Sequence, residues 1–513
     1  MITNYKTYEE AKAKFTWDQV WDLFDGDREH FNIAHECIDR HPPEDTAIRI
    51  KFADRHVEEY TFGELSVLTS KFAHALEKLG IARDDRVLVM LEPSREYYVS
   101  LFGTMKRGAI VVPCFTLFGP DALKYRLQDS GASVFVTTEE KASMIKDYPI
   151  NHVITIEKDF DAFIGQEAES YPCNMNRSAD DVAVYQYTSG TTKKFPDAVK
   201  HFHKSVAVAS PAAIFGFGLS KGDRYFCPSS PAWGHGLWYG TLAPLSLGIG
   251  VGAYSGKFDE VVFLEALEEF EINNISAAPT VFRRIKNSGI VDKFWLKIKK
   301  ISYTGEPMDM DTFNFIKETF GVSPHGVYGS TEVGPLVVHY AGFKDWVVVP
   351  GSLGKPMLGV NVAIIDSEGN RVPPGQLGEI AMMREDGWFR VKDAAIEDEE
   401  GYYWHKGRVD DIILSSGWTI SAVEVEDKLQ RHKHVLEAVV IGVPDKDRGE
   451  LVKAFVKTDA EPTEDLKKEL QEFVKMGLSK HEYPREIEFV DEIPKTEGGK
   501  INRKEVRAWA MRK

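Results

Sequence analysis

A stretch rich in threonine, serine and glycine, YTSGTTKKFPDAVKH, lies between Tyr187 and His201. Backbone N–H groups and hydroxyls in such a loop can bind phosphate, and a helix N-terminus behind the loop adds to the attraction. VAVYQY before it has the composition of a strand, and 201–214 that of a helix, so the sequence predicts a strand–loop–helix unit. The spacing is not that of GxxxxGK[ST]. Taken alone, the stretch is equally compatible with a solvated polar turn.

The elements around this loop alternate between helical and extended patterns. FGELSVLTSKFAHALEKLG repeats apolar residues at helical spacing, and RVLVMLE follows it as a short apolar strand. The same pairing recurs in YYVSLFGTMKRG with AIVVPCF and in ALKYRLQDSG with ASVFVTT. This alternation predicts an α/β fold with a largely parallel sheet.

The sharpest predicted domain boundary lies in HKGRVDDIILSSG. Beyond it, VEVEDKLQRHKHVLEAVVIGV, KAFVKT and EDLKKELQEFVKM form a compact helix–strand–helix pattern. We therefore predict a large N-terminal domain over residues 1–409 and a small α+β domain over 410–513.

Charge and composition exclude several classes of protein. The formal charge of −16 argues against a nucleic-acid partner. The N-terminus MITNYKTYEEAKAKF has no apolar run, and no segment is long enough and apolar enough to predict a membrane span. The widely spaced cysteines fit a reducing compartment, so we predict a cytoplasmic protein. A homo-oligomer is compatible with the sequence.

Four further motifs follow the opening loop. They are YTGEP (303–307), GVYGSTEVG (326–334), GYYWHKGRVDDIILSSGWTISAVEVE (401–426) and PKTEGGKINR (494–503). In this order the five motifs resemble the core motifs of the AMP-forming adenylating superfamily. YPREIEFVDEIPKTEGGKINR and FNIAHECIDRH are similar to the medium-chain acyl-CoA synthetases. The resemblance implies a large domain of packed α/β subdomains and a small mobile α+β C-terminal lid domain.

The resemblance also implies the reaction. A carboxylic acid is joined to the α-phosphate of ATP with release of pyrophosphate, and the acyl-adenylate is then transferred to the thiol of coenzyme A. The substrates and cofactors implied are a small carboxylic acid, ATP, Mg²⁺ and coenzyme A. Two alternatives stay open: an adenylation enzyme that loads a carrier protein, and a non-catalytic nucleotide-binding relative.

By the same resemblance, residues from four motifs bind the nucleotide. Thr331 would bond the α-phosphate, Tyr328 would stack on adenine, and Glu332 would hold Mg²⁺. Asp393 sits where relatives use a carboxylate for the ribose hydroxyls, with Arg408 beside it. The remaining predicted nucleotide-binding residues are Thr188, Ser189, Gly190, Thr191, Thr192, Lys193, Lys194, Gly305, Glu306, Pro307, Gly329 and Ser330. Core packing for Tyr328 and a helix N-terminal cap for Glu332 are the structural alternatives.

The C-terminal part would supply the remaining machinery. Lys500, preceded by Gly498 and Gly499, matches the catalytic lysine of PKTxxGK and would act on the carboxylate and α-phosphate together with Thr331 and Glu332. Asp410 matches the hinge position about which the lid rotates between half-reactions. The predicted coenzyme A contacts are Ser416, Gly417, Trp418 and Arg448.

The chain departs from the family pattern in the phosphate loop. Relatives read TSGTTGxPK where this chain reads TSGTTKKFPD. We expect Asp197 to point away from the triphosphate and Lys193 or Lys194 to replace the missing lysine. Thr419 also stands where relatives have an arginine.

The acid is predicted to be larger than acetate: a medium-chain, branched, cyclic or aromatic acid. Acetate-activating relatives carry tryptophan at the position of Gly329, and glycine would leave space there. Trp233 and His235, in SPAWGHGLWYG, could line an apolar pocket. Trp238 and Tyr239 are better interpreted as core. The pairs His201/His203 and His432/His434 lack further ligands, so we interpret them as surface histidines rather than a metal site.

Overall fold

A computed structural model describes residues 1–173, 178–187, 198–415, 418–445, 449–478, 483–495 and 501–510. It also leaves the side chains of Asp410, Leu414, Trp418 and Thr419 undescribed. The chain forms two compact units, Met1–Gly359 and Val360–Lys513. The boundary predicted between Val409 and Asp410 lies inside the second unit and stays a prediction.

The first unit is built on two sheets. Its strands are β1 (Thr46–Phe52), β2 (Val57–Thr61), β3 (Arg86–Met90), β4 (Ile110–Pro113), β5 (Val134–Thr137), β6 (His152–Thr155), β7 (Val182–Tyr187), β8 (Ala198–Phe202), β9 (Tyr225–Phe226), β10 (Val251–Ser255), β11 (Asn274–Ala277), β12 (Lys300–Tyr303), β13 (His325–Ser330), β14 (Gly334–Val338) and β15 (Lys355–Pro356). One sheet has the order β6-β5-β3-β4-β7-β8 and the other β15-β14-β13-β12-β11-β9-β10-β1-β2.

Helices connect these strands. They are α1 (Tyr8–Lys14), α2 (Asp18–Trp21), α3 (Phe62–Lys78), α4 (Arg95–Arg107), α5 (Pro120–Ser130), α6 (Glu139–Ser143), α7 (Phe160–Ile164), α8 (Ser205–Phe215), α9 (Ala243–Ser246), α10 (Glu260–Glu269), α11 (Pro279–Ser288) and α12 (Met310–Phe320). Two π-helices, His35–Asp39 and His235–Leu242, and two 3-10 helices, Ile2–Asn4 and Val291–Lys293, complete the unit.

The predicted helix–strand alternation is confirmed. Helices α3, α4 and α5 each lead into a strand of the six-stranded sheet, and β3 pairs in parallel with both β4 and β5. Helix α3 begins with a complete capping box formed by Thr61 and Glu64. The T-x-x-E spacing that produces this cap is visible in the sequence. The carboxyl ends of parallel strands converge on one edge of a sheet, which is where such folds place ligand-binding loops.

The second unit contains two smaller sheets. Its elements are β16 (Val362–Ile365), β17 (Leu377–Arg384), β18 (Gly387–Glu397), β19 (Tyr403–Arg408), a 3-10 turn (Val409–Asp411), β20 (Ile412–Ser415), β21 (Trp418–Ser421), α13 (Ala422–Gln430), β22 (Val435–Asp445), β23 (Gly449–Thr458), α14 (Glu464–Gly477), β24 (Glu486–Phe489) and α15 (Arg503–Ala510). Strands β16 to β19 form an antiparallel sheet, and β21-β20-β23-β22 form another in which β24 joins β23 in parallel.

The second of these sheets is the predicted α+β body. Helices α13 and α14 bury Val425, Leu429, Leu470 and Val474 against strand residues such as Ala454. Within the described residues, no helix has the length and apolar character needed to cross a membrane.

Candidate active site

The opening loop connects two strands rather than a strand and a helix. β7 pairs antiparallel with β8, with Tyr187 opposite Ala198. Helix α8 begins only at Ser205. The prediction of a helix N-terminus directly behind the loop is therefore wrong. The alternating AVKHF segment pairs with β7 before the helical run starts, a long-range pairing that local periodicity does not show. The predicted phosphate residues from Thr188 to Lys194, and Asp197, lie outside the described residues.

The turn after β13 carries two of the predicted catalytic residues. Tyr328 and Ser330 are half-buried residues of β13, which folds back on β14. Thr331 is half-buried and Glu332 exposed in the turn that joins these strands. No helix begins at this turn, so the alternative of a helix N-terminal cap for Glu332 does not apply.

Thr331 and Gln186, from two distant segments, both lie close to Gly234. A Cβ atom built on Gly234 would lie 3.6 Å from Thr331 Oγ1 and 3.8 Å from the side-chain oxygen of Gln186. The contact to Gln186 brings in β7, the strand from which the opening loop departs. The fold therefore brings Thr331 and the end of β7 close to Gly234, with room for a Cβ atom between them.

A π-helix supports this space. The His235–Leu242 segment is entirely buried, and π-helices are rare and concentrated at functional sites. Its Trp238 donates an indole N–H to Gln186 at 3.4 Å, and its Tyr239 stacks on Phe217 with ring centroids 4.5 Å apart. Trp238 and Tyr239 are 6% and 9% exposed, which confirms their interpretation as core.

His201 is a candidate site residue that was interpreted from the sequence as a surface histidine. Its ring lies 4.9 Å from that of Trp238, and its Nε2 is buried without a hydrogen-bond partner among the described residues. Burial lowers the pKa of His201 to about 4, opposed by the negative charge of Glu332. The imidazole is therefore neutral at physiological pH. The alternation of AVKHF, in which Val199 and His201 share a face, is the signal that could have pointed to it.

The predicted base-pocket motif packs on a predicted acyl-pocket residue. Gly305 has φ +94°, and a Cβ there would lie 2.6 Å from the indole of Trp233, so the ring covers the bare glycine backbone. The carboxylate of Glu306 accepts a hydrogen bond from the backbone N–H of Thr280 at 2.7 Å and pairs with Arg283 at 2.7 Å. Pro307 is exposed.

The role of His235 as a pocket-lining side chain stays a prediction. The residue is 5% exposed, and its ring nitrogens lie 2.9 Å from Ser229 Oγ and 2.7 Å from Ser276 Oγ. Burial lowers the pKa of His235 to about 3, so the ring is neutral. Its edge-on contact with Trp233, at 5.9 Å between centroids, makes it a support for that indole.

The space expected at Gly329 is also absent. A Cβ on Gly329 would lie 2.1 Å from the carbonyl oxygen of Gly334 and 2.7 Å from Cα of Pro335. The β13–β14 register shifts between Tyr328 and Gly329, and this irregularity brings the two backbones together. Glycine is required here by close backbone approach. Gly234, not Gly329, is the glycine with room beside it.

The predicted ribose residues meet in the second unit. Asp393 of β18 pairs with Arg408 of β19, and Arg408 Nη1 lies 3.1 Å from the Asp393 carboxylate. Lys392, directly before Asp393, has φ +64° and donates its backbone N–H to Glu379 at 2.9 Å. This left-handed residue distorts β18 directly before Asp393, where the β17–β18 register shifts.

Two of the predicted residues of the C-terminal part have a described backbone. Asp410 lies in the 3-10 turn between β19 and β20, where its backbone is described. Trp418 opens β21. The candidates Ser416, Gly417, Arg448 and Lys500 lie outside the described residues.

The exposed carboxylate of Glu332 suits Mg²⁺. This ion keeps several waters and is bound through one or two carboxylates and substrate phosphates rather than by an all-protein cage. Among the described residues, no group of three histidine, cysteine or acidic side chains could hold a metal. A single exposed carboxylate such as Glu332 is the kind of donor that fits Mg²⁺ delivered with ATP.

Two of the four paired histidines are buried. His203 is 0% exposed and its Nδ1 accepts the backbone N–H of Ile33 at 3.1 Å, while His432 is 7% exposed. Their interpretation as surface histidines is wrong for these two members. Residues on distant segments bury them, which the sequence pattern does not reveal.

Comparison with known proteins supports the motif resemblance. The family model described as AMP-binding enzyme matches residues 35–390, and the AMP-binding enzyme C-terminal domain matches 424–500. The chain is 33% identical to an acetyl-coenzyme A synthetase of Bacillus subtilis, over 99% of this chain and 96% of that protein.

Solved structures agree with this assignment. An acyl-CoA synthetase of Brucella canis superposes with a TM-score of 0.78 at 30% identity, with 99% of each chain covered. The anthranilate CoA ligase AuaEII, solved with anthranoyl-AMP, gives a TM-score of 0.83 at 26% identity, over 94% of this chain and 98% of that one. The chain therefore belongs to the AMP-binding enzyme family, as an AMP-forming acid–CoA ligase that uses ATP, Mg²⁺ and coenzyme A.

Proposed function

We propose that the acid is activated at the space bounded by Thr331, Gly234 and Gln186, and that the acid is larger than acetate. One observation carries the location: Thr331 and Gln186, from two segments far apart in sequence, lie within 4 Å of the position that a Cβ of Gly234 would take. One of them, β7, leads directly into the predicted phosphate loop. A polar hydroxyl and amide beside a neutral, aromatic-lined wall suit a carboxylate with an apolar body.

The first half-reaction needs no protein nucleophile. A carboxylate oxygen attacks the α-phosphorus of ATP, the bond to pyrophosphate breaks, and positioning and charge stabilisation do the rest. In this proposal Thr331 binds the α-phosphate, Glu332 holds Mg²⁺, and Lys500 neutralises charge on the attacking carboxylate and the α-phosphate. Tyr328 stacks on adenine, supported by its half-buried place in β13.

The other nucleotide contacts follow from the same proposal. The hydroxyls and N–H groups of 188–192, with Lys193 or Lys194, enclose the β- and γ-phosphates. The Asp393 carboxylate accepts the hydrogen bonds of the ribose hydroxyls, and its pairing with Arg408 orients it. The backbone of Gly305 to Pro307 and of Gly329 and Ser330 borders the base.

The second half-reaction would use the C-terminal part. The thiol sulfur of coenzyme A attacks the acyl carbonyl, AMP leaves, and the thiol proton passes to solvent. We propose that the lid turns about Asp410 and brings Ser416, Gly417 and Trp418 to the pantetheine arm, with Arg448 near the coenzyme A nucleotide. The glycine at 417 would let the slender arm pass, because any Cβ there would narrow the path.

The proposed acid is a medium-chain, branched, cyclic or aromatic one. The surroundings of Gly234 support this, because a Cβ there would meet only side chains of Thr331 and Gln186, at ordinary contact distances, and no backbone atom. Similar solved structures include an anthranilate CoA ligase and a benzoate CoA ligase, whereas the Bacillus relative is an acetyl-coenzyme A synthetase. Acetate therefore belongs in the test panel.

Pyrophosphate release, measured with and without coenzyme A across acetate, butyrate, octanoate, cyclohexanecarboxylate and benzoate, tests this proposal. We expect the highest kcat/KM with an acid of four carbons or more, and acyl-CoA as the product. A preference for acetate would overturn the acid class.

Lys500→Ala separates the half-reactions. Pyrophosphate release should fall by at least about 100-fold, whereas thioester formation from supplied acyl-AMP should stay within about twofold of the parent. Equal loss of both, in a folded variant, would contradict the division of labour. Gly417→Leu is the reciprocal control, expected to spare adenylation and block thioester formation.

A cytoplasmic location and a homo-oligomeric state are proposals from sequence. All four cysteines are free thiols, and Cys37, Cys114 and Cys227 are buried, as expected for a protein of a reducing compartment. Light scattering on the purified chain tests the oligomeric state.

A further inference from the structure

A cluster of charged side chains without an assigned role lies in the second unit. The guanidinium of Arg503, the first residue of α15, has a side chain that is 17% exposed. Its Nη1 and Nη2 donate to the two carboxylate oxygens of Glu426 at 2.7 and 2.6 Å, and its Nε lies 3.0 Å from the Asp411 carboxylate. Nη1 also donates to the carbonyl oxygen of Val440 at 2.9 Å. Every nitrogen of this side chain is thus committed.

The carboxylate side chains that Arg503 contacts are also buried. The side chains of Asp411 and Glu426 are 7% and 9% exposed. Glu426 also accepts the backbone N–H of Val440 at 2.6 Å, and Asp411 also pairs with Arg507 at 2.5 Å. Two carboxylates and two guanidiniums balance their charges, the condition under which buried ions persist.

In sequence, this cluster lies close to the proposed hinge and to the proposed catalytic lysine. Asp411 directly follows Asp410, the proposed hinge, and Arg503 lies three residues beyond Lys500 in sequence. Just ahead of Arg503, Ile501 pairs antiparallel with Lys495, and the N–H of Asn502 donates to the carbonyl oxygen of Pro494 at 2.7 Å. The two ends of the segment that contains Lys500 are therefore held together next to Arg503.

We infer that Asp411, Glu426 and Arg503 are positioning residues for acid adenylation. Arg503 joins the end of the Lys500 segment to the residue beside the hinge, and Glu426 joins both to α13. This inference rests on the proposed roles of Lys500 and Asp410. The rigid, bidentate guanidinium of arginine fixes both the direction and the distance of the carboxylate that it binds. Misplacing a catalytic group by about 1 Å can cost about 100-fold in rate.

Arg503→Lys is the direct test, because it keeps the charge and removes the fork. We expect kcat for pyrophosphate release to fall about 10- to 100-fold, with the apparent KM for ATP within about twofold. Thioester formation from supplied acyl-AMP should stay within about twofold, since Lys500 is not needed there. A merely structural role would move both half-reactions together.

Lys453→Met provides a matched control. Lys453 of β23 is a buried cation whose side chain is 10% exposed, and it lies 3.1 Å from Glu488 on the neighbouring β24. Its removal should lower the melting temperature of the second unit without changing the adenylation kcat. An equal loss of kcat in Lys453→Met would show that instability alone explains the Arg503 effect and would overturn the inference.

Asp411→Asn keeps the Arg503–Glu426 pair and removes only the charge next to the hinge. It should also slow adenylation selectively, so a folding failure of Arg503→Lys leaves the inference testable. If Lys500→Ala loses adenylation while Arg503→Lys and Asp411→Asn both retain it, the positioning inference alone is overturned. If Lys500→Ala retains adenylation, the proposed role of Lys500 fails and the inference fails with it.

Discussion

Gly329→Ala should destabilise the first unit rather than change which acid is used. The added Cβ would lie 2.1 Å from the carbonyl oxygen of Gly334, a backbone atom of the paired strand. Carbon and oxygen atoms need more than about 3 Å, so β13 and β14 must separate by roughly 1 Å. Overpacking of this kind costs about 1–3 kcal/mol, and the upper end applies because no flexible side chain can yield.

Gly234→Ala is the matched control for this prediction. Its Cβ would lie no closer than 3.6 Å to any neighbour, an ordinary contact. By thermal unfolding we expect Gly329→Ala to melt roughly 5 °C below the parent and Gly234→Ala within about 1 °C of it. Pyrophosphate release across the acid panel should fall evenly in Gly329→Ala. An unchanged melting temperature together with a shifted acid preference would refute the reasoning.

Three further outcomes are expected. Gly234→Leu should reduce kcat/KM for octanoate and benzoate at least about tenfold more than for acetate, because the leucine side chain would lie beside Thr331. An equal reduction for all acids would count against an acid site beside Thr331. Lys392→Gly should raise the melting temperature, corresponding to about 0.5–1 kcal/mol, by relieving a left-handed backbone, whereas Lys392→Ala should not. The folded-state pKa of about 3 for His235 lies below its unfolded value. The stabilising contribution of His235 is therefore complete above about pH 6.5 and is lost as the pH falls toward 3. The melting temperature of the parent should drop more between pH 7.5 and 5 than that of His235→Gln, and parallel curves would contradict this.

The fold class and family were readable from the sequence because they depend on local patterns. Helical periodicity and short apolar runs predicted the order α3-β3-α4-β4-α5-β5, since each element buries one face whatever its partners are. The motif order led to the adenylating superfamily without any structural information. Trp238 and Tyr239 were assigned to the core for the same reason, within an apolar run.

The details of the site depended on pairings between distant segments, and these only the tertiary structure decided. A glycine has the same letter whether it leaves space, as Gly234 does beside Thr331, or admits another backbone, as Gly329 does against Gly334. The Nε2 atom of His235 is held by Ser276, which lies 41 positions away in the sequence. Arg503 meets Asp411 across 92 residues of chain. Such contacts arise from strand register and packing between elements, which a linear pattern does not encode.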